Sequence, residues 1–307
     1  MDLAQRLGYP AGTRLLVLHS DDMGCSRASD AATFELTEAG RLTSGSVIVP
    51  SPFLDEVADY QRGHPDADIG VHLALTSEHP KRRWTGILGR EACPSLHDAD
   101  GYLPLTVAER LERADPEEAA RELRAQVEVA LARGIDVTHL DSHMGAVFHG
   151  RFRHTWTALA VEFQLPTFID AAFRGRSGVD TMEAAGVPVI DKLIHDTYGP
   201  DKAAKAELFP RLIEGLEPGF THLLIHPAHD TAELREFIVG PATRIADYEL
   251  FAEGALHRQL AELGVILIGH RPLREAIRTG CFKTPSRESD PRPSGSARKQ
   301  AHGPSRL

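Results

Sequence analysis

Residues 14–24 of the chain read RLLVLHSDDMG, in which an apolar run leads into two adjacent aspartates, Asp21 and Asp22. A short apolar run of this kind is typical of a buried strand. Residues 26–39 follow with a helical pattern, which Gly40 terminates. A strand followed directly by a helix is the repeating unit of α/β folds with parallel sheets.

The same alternation of apolar runs and helical patterns continues along most of the chain. Further strands are predicted over residues 44–51, 69–76, 137–143, 167–170, 188–194, 221–228 and 265–270. Helices are predicted over residues 53–61, 116–133, 151–164, 202–214 and 243–263. In the second of these helices, Asp115 is the expected N-cap and Glu118 its capping-box partner. Seven or eight strand–helix units predict a (β/α) barrel of the TIM type, which can be incomplete at seven strands.

Two stretches depart from this alternation. Residues 77–106 are polar and rich in Gly, Pro and Arg, and we interpret them as a long loop of the kind that forms lids or binding surfaces. From Thr284 onward, Pro, Ser, Gly and Arg dominate and aromatic residues are absent, which is typical of a disordered tail. We therefore predict one barrel domain over residues 1–283 and a disordered tail over residues 284–307.

Composition and charge argue against several classes of protein. The formal net charge is −10, which disfavours binding to the phosphates of nucleic acid. The three cysteines, Cys25, Cys93 and Cys281, form no CxxC pair, so neither a disulfide framework nor a thiolate zinc site is indicated. The sequence has neither a signal-peptide pattern nor an apolar run of roughly 18 residues. We therefore expect a cytoplasmic protein without a membrane partner.

Carboxylates and histidines close several of the predicted strands. They are Asp21 and Asp22 after the first strand, His72 in the third, Asp141 and His143 after the fourth, His226 after the seventh and His270 after the last. In a (β/α) barrel, the C-terminal ends of the strands carry the active site. We therefore predict that these side chains meet at one face of the barrel.

The adjacent aspartates indicate a bound cation. Neighbouring carboxylates raise each other's pKa unless a cation or a shared proton holds them together. One carboxylate and two strand-end imidazoles form a set that binds zinc, iron or manganese and leaves positions for water. Because neighbouring side chains on a strand point to different sides, only one aspartate is expected to face the metal. In the structural alternative, Asp22 caps the next helix and Asp21 is solvated.

Each histidine also has a structural alternative. His72 lies between aliphatic residues and could be a core histidine without a ligand. His139, Asp141 and His143 are two positions apart, on one face of a strand, and could line the barrel mouth without binding metal. Asp141 could also orient a neighbouring imidazole. His226 begins the segment HPAHD, which fits either an acid–base histidine or a proline turn.

Several motifs occur in an order that matches a known family. They are HSDDMG at residues 19–24, GVHLALT at 70–76, DGY at 100–102, ELRAQVE at 122–128, THLDSH at 138–143 and HPAHD at 226–230. In this order and spacing they resemble the YdjC-like carbohydrate deacetylases, from about Arg14 to Ile277. The resemblance implies a divergent (β/α) barrel that removes acetyl groups from N-acetylated sugars with a divalent cation.

The resemblance also implies roles for individual residues. By position in the motifs, Asp21 corresponds to the general base and His226 to the general acid. Asp22, His72 and His143 correspond to the metal ligands.

The chain departs from the family pattern in two motifs. The family has NADDFG where this chain has HSDDMG, and DSHQHVH where it has DSHMGAVF, so that Gly145 replaces a family histidine. An arginine that follows the last motif in the family corresponds to Arg244, and its role is open. We expect these changes to affect which sugar is bound more than which reaction is catalysed.

Together, the residues and the resemblance predict a hydrolase that uses one divalent cation, Mg²⁺ or Zn²⁺, to deacetylate an N-acetylated sugar. A homodimer is the assembly that we consider. Two alternatives stay open: a non-catalytic protein that binds a sugar or a metal, and a metal-dependent phosphoesterase. Asp21 argues against the first, since a binding protein has no need of a second carboxylate beside the ligand.

The composition of the tail leads to a first test. Truncation after Lys283 should leave the melting temperature and the activity nearly unchanged, because residues 284–307 contain too few apolar side chains to bury surface. Thermal denaturation and activity assays of the full-length and truncated proteins measure this. A drop of many degrees in the melting temperature would show that the tail docks on the barrel.

Overall fold

The computed structural model describes residues 1–199 and 201–282, and seven parallel strands form the centre of this part of the chain. They are β1 (Arg14–Met23), β2 (Ser44–Val47), β3 (Ile69–Leu73), β4 (Val137–Ser142), β5 (Lys192–Ile194), β6 (Gly219–Ile225) and β7 (Ile266–Leu267). The hydrogen-bonded order is β4-β3-β2-β1-β6-β5, and β7 pairs with the first half of β1. All pairings are parallel, as the alternation of strands and helices predicts.

The sheet curls until its two edges are connected. An isolated parallel bridge joins Leu140 of β4 to Thr167, and a second joins Asp170 to Ile190, just before β5. These bridges lead from one edge strand to the other, so the strands enclose an interior as in a barrel. The prediction of a (β/α) barrel that is incomplete at seven strands is confirmed.

Helices surround this sheet. Those in the described residues are α1 (Leu3–Arg6), α2 (Arg27–Glu38), α3 (Leu54–Gly63), α4 (Gly89–Ala92), α5 (Val107–Arg113), α6 (Pro116–Ala132), α7 (Gly150–Phe163), α8 (Val179–Ala184), α9 (Lys202–Glu214), α10 (Ala232–Phe237), α11 (Pro241–Ala252), α12 (Ala255–Glu262) and α13 (Arg271–Arg278). Short 3₁₀ helices span Pro94–Leu96, His143–Phe148 and Ala171–Phe173. The helix predicted over residues 202–214 is confirmed residue for residue as α9.

Two helix predictions are wrong in detail. Residues 243–263 form parts of two helices, α11 and α12, because Gly254 between them has a φ of 75° and begins the second helix. Asp115 caps α6 as predicted, by accepting two backbone N–H groups. Glu118 does not complete a capping box, since its carboxylate accepts instead from the backbone and hydroxyl of Ser95.

Some predicted strands are shorter than expected. Residues 167–170 contribute only isolated bridges, and within residues 188–194 only Lys192–Ile194 form a strand. The loop predicted over residues 77–106 contains short helices and packs against the barrel.

Side chains alternate between the two faces of each strand, so that an apolar outer face lies opposite an inner face that carries both apolar and polar side chains. On β1, Leu16 and Leu18 pack outward into a cluster that includes Phe209 and Phe251 of the surrounding helices. His19, which has the opposite parity, contacts histidines from β4 and β6. The barrel interior therefore collects imidazoles and carboxylates, while the apolar core lies largely between sheet and helices.

The described residues contain no helix long and apolar enough to cross a membrane. Their cysteines are free, so no disulfide framework forms within them. The tail predicted over residues 284–307, and the domain boundary before it, lie outside the described residues and stay predictions.

A buried ion pair joins two helices beside the barrel. Lys205 of α9 donates to Asp247 of α11 at 2.5 Å, and both side chains are fully buried. Lys205→Met would leave the Asp247 charge without a partner, so it should lower the free energy of unfolding by about 3–5 kcal/mol. Urea denaturation measures this loss.

The matched control is Lys202→Met in the same helix. Lys202 pairs with Glu249 and Glu253, but its side chain is 48% exposed. The control should lose at most about 1 kcal/mol, because exposed ion pairs are screened by water and salt. Equal losses for the two variants would contradict the role that we assign to burial.

Candidate active site

The two adjacent aspartates lie at a bulge in β1. The register of β1 on β2 shifts between Ser20 and Met23. Across this shift, Asp21 and Asp22 together face a single residue, Ser46. Asp22 has a φ of 64°, in the left-handed region, which costs a non-glycine residue about 1–3 kcal/mol. Bulges of this kind re-aim side chains, and here both aspartates line one pocket. The expectation that they point to different sides is wrong.

Asp22, His72 and His143 bring three potential ligand atoms together. The Oδ1 atom of Asp22 lies 3.1 Å from Nε2 of His72 and 3.0 Å from Nδ1 of His143. All three side chains are buried, and their ligand atoms lie within 4.8 Å of one another. We call these residues the ligand group. One carboxylate and two imidazoles suit a divalent cation of the zinc or iron type.

The outer nitrogens of both imidazoles are already held, which leaves the inner nitrogens for a cation. Nδ1 of His72 pairs with Asp141 and lies 3.0 Å from the Ser46 hydroxyl. Nε2 of His143 lies 2.7 Å from Oε2 of Glu78. A carboxylate behind a metal-binding imidazole fixes the orientation of the ring and the nitrogen that carries its proton. The residues present therefore fit a metal.

Arg244, whose role the sequence leaves open, holds the second oxygen of Asp22. Its Nη2 atom donates to Oδ2 of Asp22 at 2.6 Å, and both side chains are buried. Burial disfavours the charge on Asp22, but Arg244 and His143 outweigh it and hold the pKa of the carboxyl well below its ordinary value. The carboxylate is therefore ionised at neutral pH, with Oδ1 directed to the two histidines of the ligand group.

Without a cation, both imidazoles of the ligand group are protonated on both nitrogens and positively charged at neutral pH. Burial opposes their charge, but Glu78 and Asp22 raise the pKa of His143 to about 9. Burial likewise opposes the charge on His72, yet Asp141 raises the pKa of this imidazole well above its ordinary value. A cation that binds here must displace these protons.

Asp21 and His226 stand beside the ligand group. Nε2 of His226 lies 3.7 Å from Oδ2 of Asp21 and 3.9 Å from Oδ2 of Asp22. The backbone N–H of His226 donates to Asp247, and its ring packs edge-on against Tyr198. Burial lowers the pKa of His226 by more than the two aspartates raise it, so the imidazole is neutral at neutral pH.

The site residues predicted from the sequence share one pocket of about 780 Å³. They are Asp21, Asp22, His72, His143 and His226. Glu78 and Arg244 line the same pocket, and apolar side chains provide much of the remaining wall. The apolar residues include Met144, Phe148, Phe168, Phe173, Tyr198 and Leu224.

Two of the strand-end residues, His270 and Asp141, do not line this pocket. His270 is fully buried in the barrel interior, where its Nε2 lies 3.1 Å from Nδ1 of His222 in the middle of β6. Asp141 lies behind His72, as the orienting alternative predicts. Sequence reasoning missed Glu78, which the predicted loop over residues 77–106 supplies. The strand-end pattern included only residues that close a strand, and Glu78 lies beyond that point.

Two further groups in the described residues also place three potential ligands close together. They are His19, His139 and Asp141, and Asp21, His72 and Asp141. Both depend on Asp141, whose Oδ2 accepts from the Ser46 hydroxyl at 2.7 Å and whose Oδ1 pairs with His72. Since these oxygens are already engaged, we favour the ligand group of Asp22 for a cation.

A model of the family of YdjC-like proteins matches residues 15–262 of the chain. The chain belongs to the YdjC-like family. A carbohydrate deacetylase from Thermus thermophilus is 32% identical over 287 residues, which cover 90% of this chain and 100% of that protein. A carbohydrate deacetylase from Geobacillus stearothermophilus is 27% identical over 259 residues, and the match covers 84% of this chain and 97% of that protein.

A solved structure has the same fold as this YdjC-like chain. It is an Enterococcus faecalis protein named for cellobiose-phosphate cleavage, with a TM-score of 0.74 and 27% identity. The match covers 85% of this chain and 99% of that protein. The family that the sequence motifs predict is therefore confirmed.

The protonated imidazoles make metal binding depend on pH. Because the pKa of His143 is raised to about 9, protons compete with a cation at every lower pH, and the apparent affinity for Zn²⁺ should rise from about pH 6 to about pH 8. Isothermal titration calorimetry in buffers of different ionisation enthalpy should also detect proton release on binding. His149→Ala, an exposed histidine near His143, should leave this pH dependence unchanged. An affinity that does not change with pH would contradict the assignment.

Proposed function

We propose that this YdjC-like protein is a metal-dependent hydrolase that removes the acetyl group from an N-acetylated sugar. The observation that carries the proposal is the carboxylate of Asp21, which lies beside a complete ligand group and in the same pocket. Metal binding alone does not require this second carboxylate, whereas hydrolysis requires a base. The names of the relatives, carbohydrate deacetylases, support the same reaction.

In this proposal, Asp22, His72 and His143 hold one divalent cation, and Glu78 and Asp141 keep the two imidazoles oriented. When bound, the cation polarises the acetyl carbonyl and lowers the pKa of a water molecule. Two imidazole nitrogens and one carboxylate oxygen favour zinc or another first-row transition ion, since magnesium prefers oxygen ligands.

Asp21 serves as the general base. Burial raises the pKa of its carboxyl, but His72 and His19 outweigh burial and keep the pKa below its ordinary value. The carboxylate is therefore ionised at neutral pH and ready to accept a proton from the attacking water. Oδ1 is bonded to His19 at 2.7 Å, so Oδ2, which faces His226, is the oxygen that accepts this proton.

His226 serves as the general acid, although it is neutral before the reaction. It must therefore receive a proton before it gives one away. Nε2 of His226 lies 3.7 Å from Oδ2 of Asp21, slightly closer than the 3.9 Å to Oδ2 of Asp22. A proton taken from water can pass from Asp21 to His226 and then to the departing amine.

The apolar wall of the pocket suits the C–H face of a sugar ring and the methyl of an acetyl group. Phe148, Phe168 and Phe173 contribute aromatic rings to this wall. Met144 and Gly145 line it where the family motif has glutamine and histidine. We infer that the substrate presents few hydroxyl groups to this side, because unpaired hydroxyls would lose their hydrogen bonds to water.

Acetate release from a panel of N-acetylated sugars tests the proposal. Protein stripped of metal by a chelator is compared with zinc-loaded protein. Asp21→Asn should retain zinc and lose about 10²–10⁴ in rate, because an amide cannot accept the proton. Asp22→Asn should instead lose zinc, and excess zinc should partly restore its rate. Elemental analysis of both variants separates the two roles. The opposite pattern would exchange the roles of the two aspartates.

His229→Ala provides the matched control for His226→Ala. Both residues lie in the segment HPAHD, but His229 bonds to Glu35 on the surface and does not line the pocket. His226→Ala should lose acetate release, and His229→Ala should keep it. If no N-acetylated sugar releases acetate with any metal while zinc still binds, the protein binds sugar or metal without catalysing deacetylation.

A further inference from the structure

A chain of buried hydrogen bonds leads from the proposed base into the barrel. Nδ1 of His19 lies 2.7 Å from Oδ1 of Asp21, and Nε2 of His19 lies 2.9 Å from Nε2 of His139. Nδ1 of His139 lies 3.0 Å from the hydroxyl of Thr138, which lies 2.7 Å from Oδ1 of Asp68. All five side chains are buried. The chain therefore connects the C-terminal end of β1 to the residue before β3.

The backbone is shaped to hold the ring of His139. The register of β3 on β4 shifts between Ile69 and Val71, so that Thr138 and His139 together face Gly70. This second bulge lets two neighbouring side chains join one network. A Cβ atom on Gly70 would lie only 2.4–2.6 Å from three atoms of the His139 ring. Only glycine at this position leaves room for the imidazole.

Two links of this chain have a defined direction of donation. The hydroxyl of Thr138 donates to Oδ1 of Asp68, which also accepts from the hydroxyl of Ser44. The Thr138 oxygen lies against Nδ1 of His139. An ionised Asp21 can only accept, so Nδ1 of His19 donates to it.

Further contacts hold the members of this chain. Oδ2 of Asp68 accepts from the backbone N–H of Arg271 at 2.6 Å, and the ring of His139 stacks on that of His270 with centroids 4.1 Å apart. Nε2 of His19 also lies 3.6 Å from Oδ2 of Asp141. Both nitrogens of the His19 ring therefore face groups that are themselves held in place.

We propose that His19 is a positioning residue for Asp21, and that His139, Thr138 and Asp68 hold the ring of His19 in place. This inference rests on the proposed function, in which Asp21 is the general base. The Nδ1–H of His19 holds Oδ1 of Asp21 and leaves Oδ2 toward His226 and the water. A family motif with asparagine at this position lacks the imidazole that continues the chain to His139.

Kinetics of acetate release test the positioning role. His19→Phe keeps a ring of similar size but removes the hydrogen bond, so kcat should fall about 10²-fold through misplacement of Asp21. KM and zinc affinity should stay unchanged, because the ligand group is intact. His257→Phe is the control, since His257 lies on α12 and its ring bonds to the backbone carbonyl of Arg41. It should retain kcat.

Substitutions at the far end of the chain keep the test independent of whether His19→Phe folds. Thr138→Val removes the hydroxyl without changing the size of the side chain and should lower kcat about 10–100-fold. Thr138→Ser should restore kcat. A Thr138→Val variant with the kcat of the parent protein would overturn the supporting role of the chain.

A measurement without turnover separates this inference from the proposed function. Nitrogen-15 NMR of the labelled imidazoles should show a hydrogen on Nδ1 of His19, with the signal assigned by its loss in His19→Phe. A His19 ring without a hydrogen on Nδ1, or unchanged kcat in His19→Phe, would overturn the inference. If this hydrogen is present but the parent protein releases no acetate, the proposed function fails and the hydrogen-bond chain stands.

Discussion

Two adjacent carboxylates, Asp21 and Asp22, are buried together at the end of β1, and much of the barrel interior compensates for their charge. Neighbouring buried carboxylates repel each other, and each loses its hydration on burial. Arg244 holds one oxygen of Asp22, His72 and His143 face the other, and His19 holds Asp21. The interior of the barrel therefore contains a cluster of imidazoles beside aliphatic side chains of the kind that usually fill it, such as Leu15 and Val17 on the strand face of His19.

Two bulges make this arrangement possible. The bulge at Asp21 and Asp22 turns both carboxylates toward one pocket, and the left-handed φ of Asp22 is part of its cost. The bulge beside Gly70 brings Thr138 and His139 into one network. The strained backbone conformation at such a site persists because the surrounding strands hold it in place. Each bulge thus interrupts the regular pairing of its strand, and it places side chains that act on the substrate or support those that do.

The sequence predicts the barrel and the members of the site better than it predicts their geometry. The apolar run of β1 and the strand-end positions of His72 and His226 suffice to predict that these residues meet in one pocket. Neither bulge is visible in the sequence, because a bulge depends on the pairing of two strands distant in the chain. Glu78 escaped prediction for a related reason: only the folded loop places its carboxylate against His143. The break at Gly254 is not predicted, because apolar residues occur on both sides of it and the sequence does not show its left-handed φ.

The proposed mechanism depends on one cation held by Asp22, His72 and His143, with Asp21 free to act as a base. A crystal structure of the zinc-loaded protein, with anomalous diffraction data collected at the zinc absorption edge, tests this arrangement. One strong peak is expected within bonding distance of Asp22 Oδ1, His72 Nε2 and His143 Nδ1, with no bond to Asp21. A peak between His19, His139 and Asp141, or one bonded to Asp21 in place of Asp22, would contradict it.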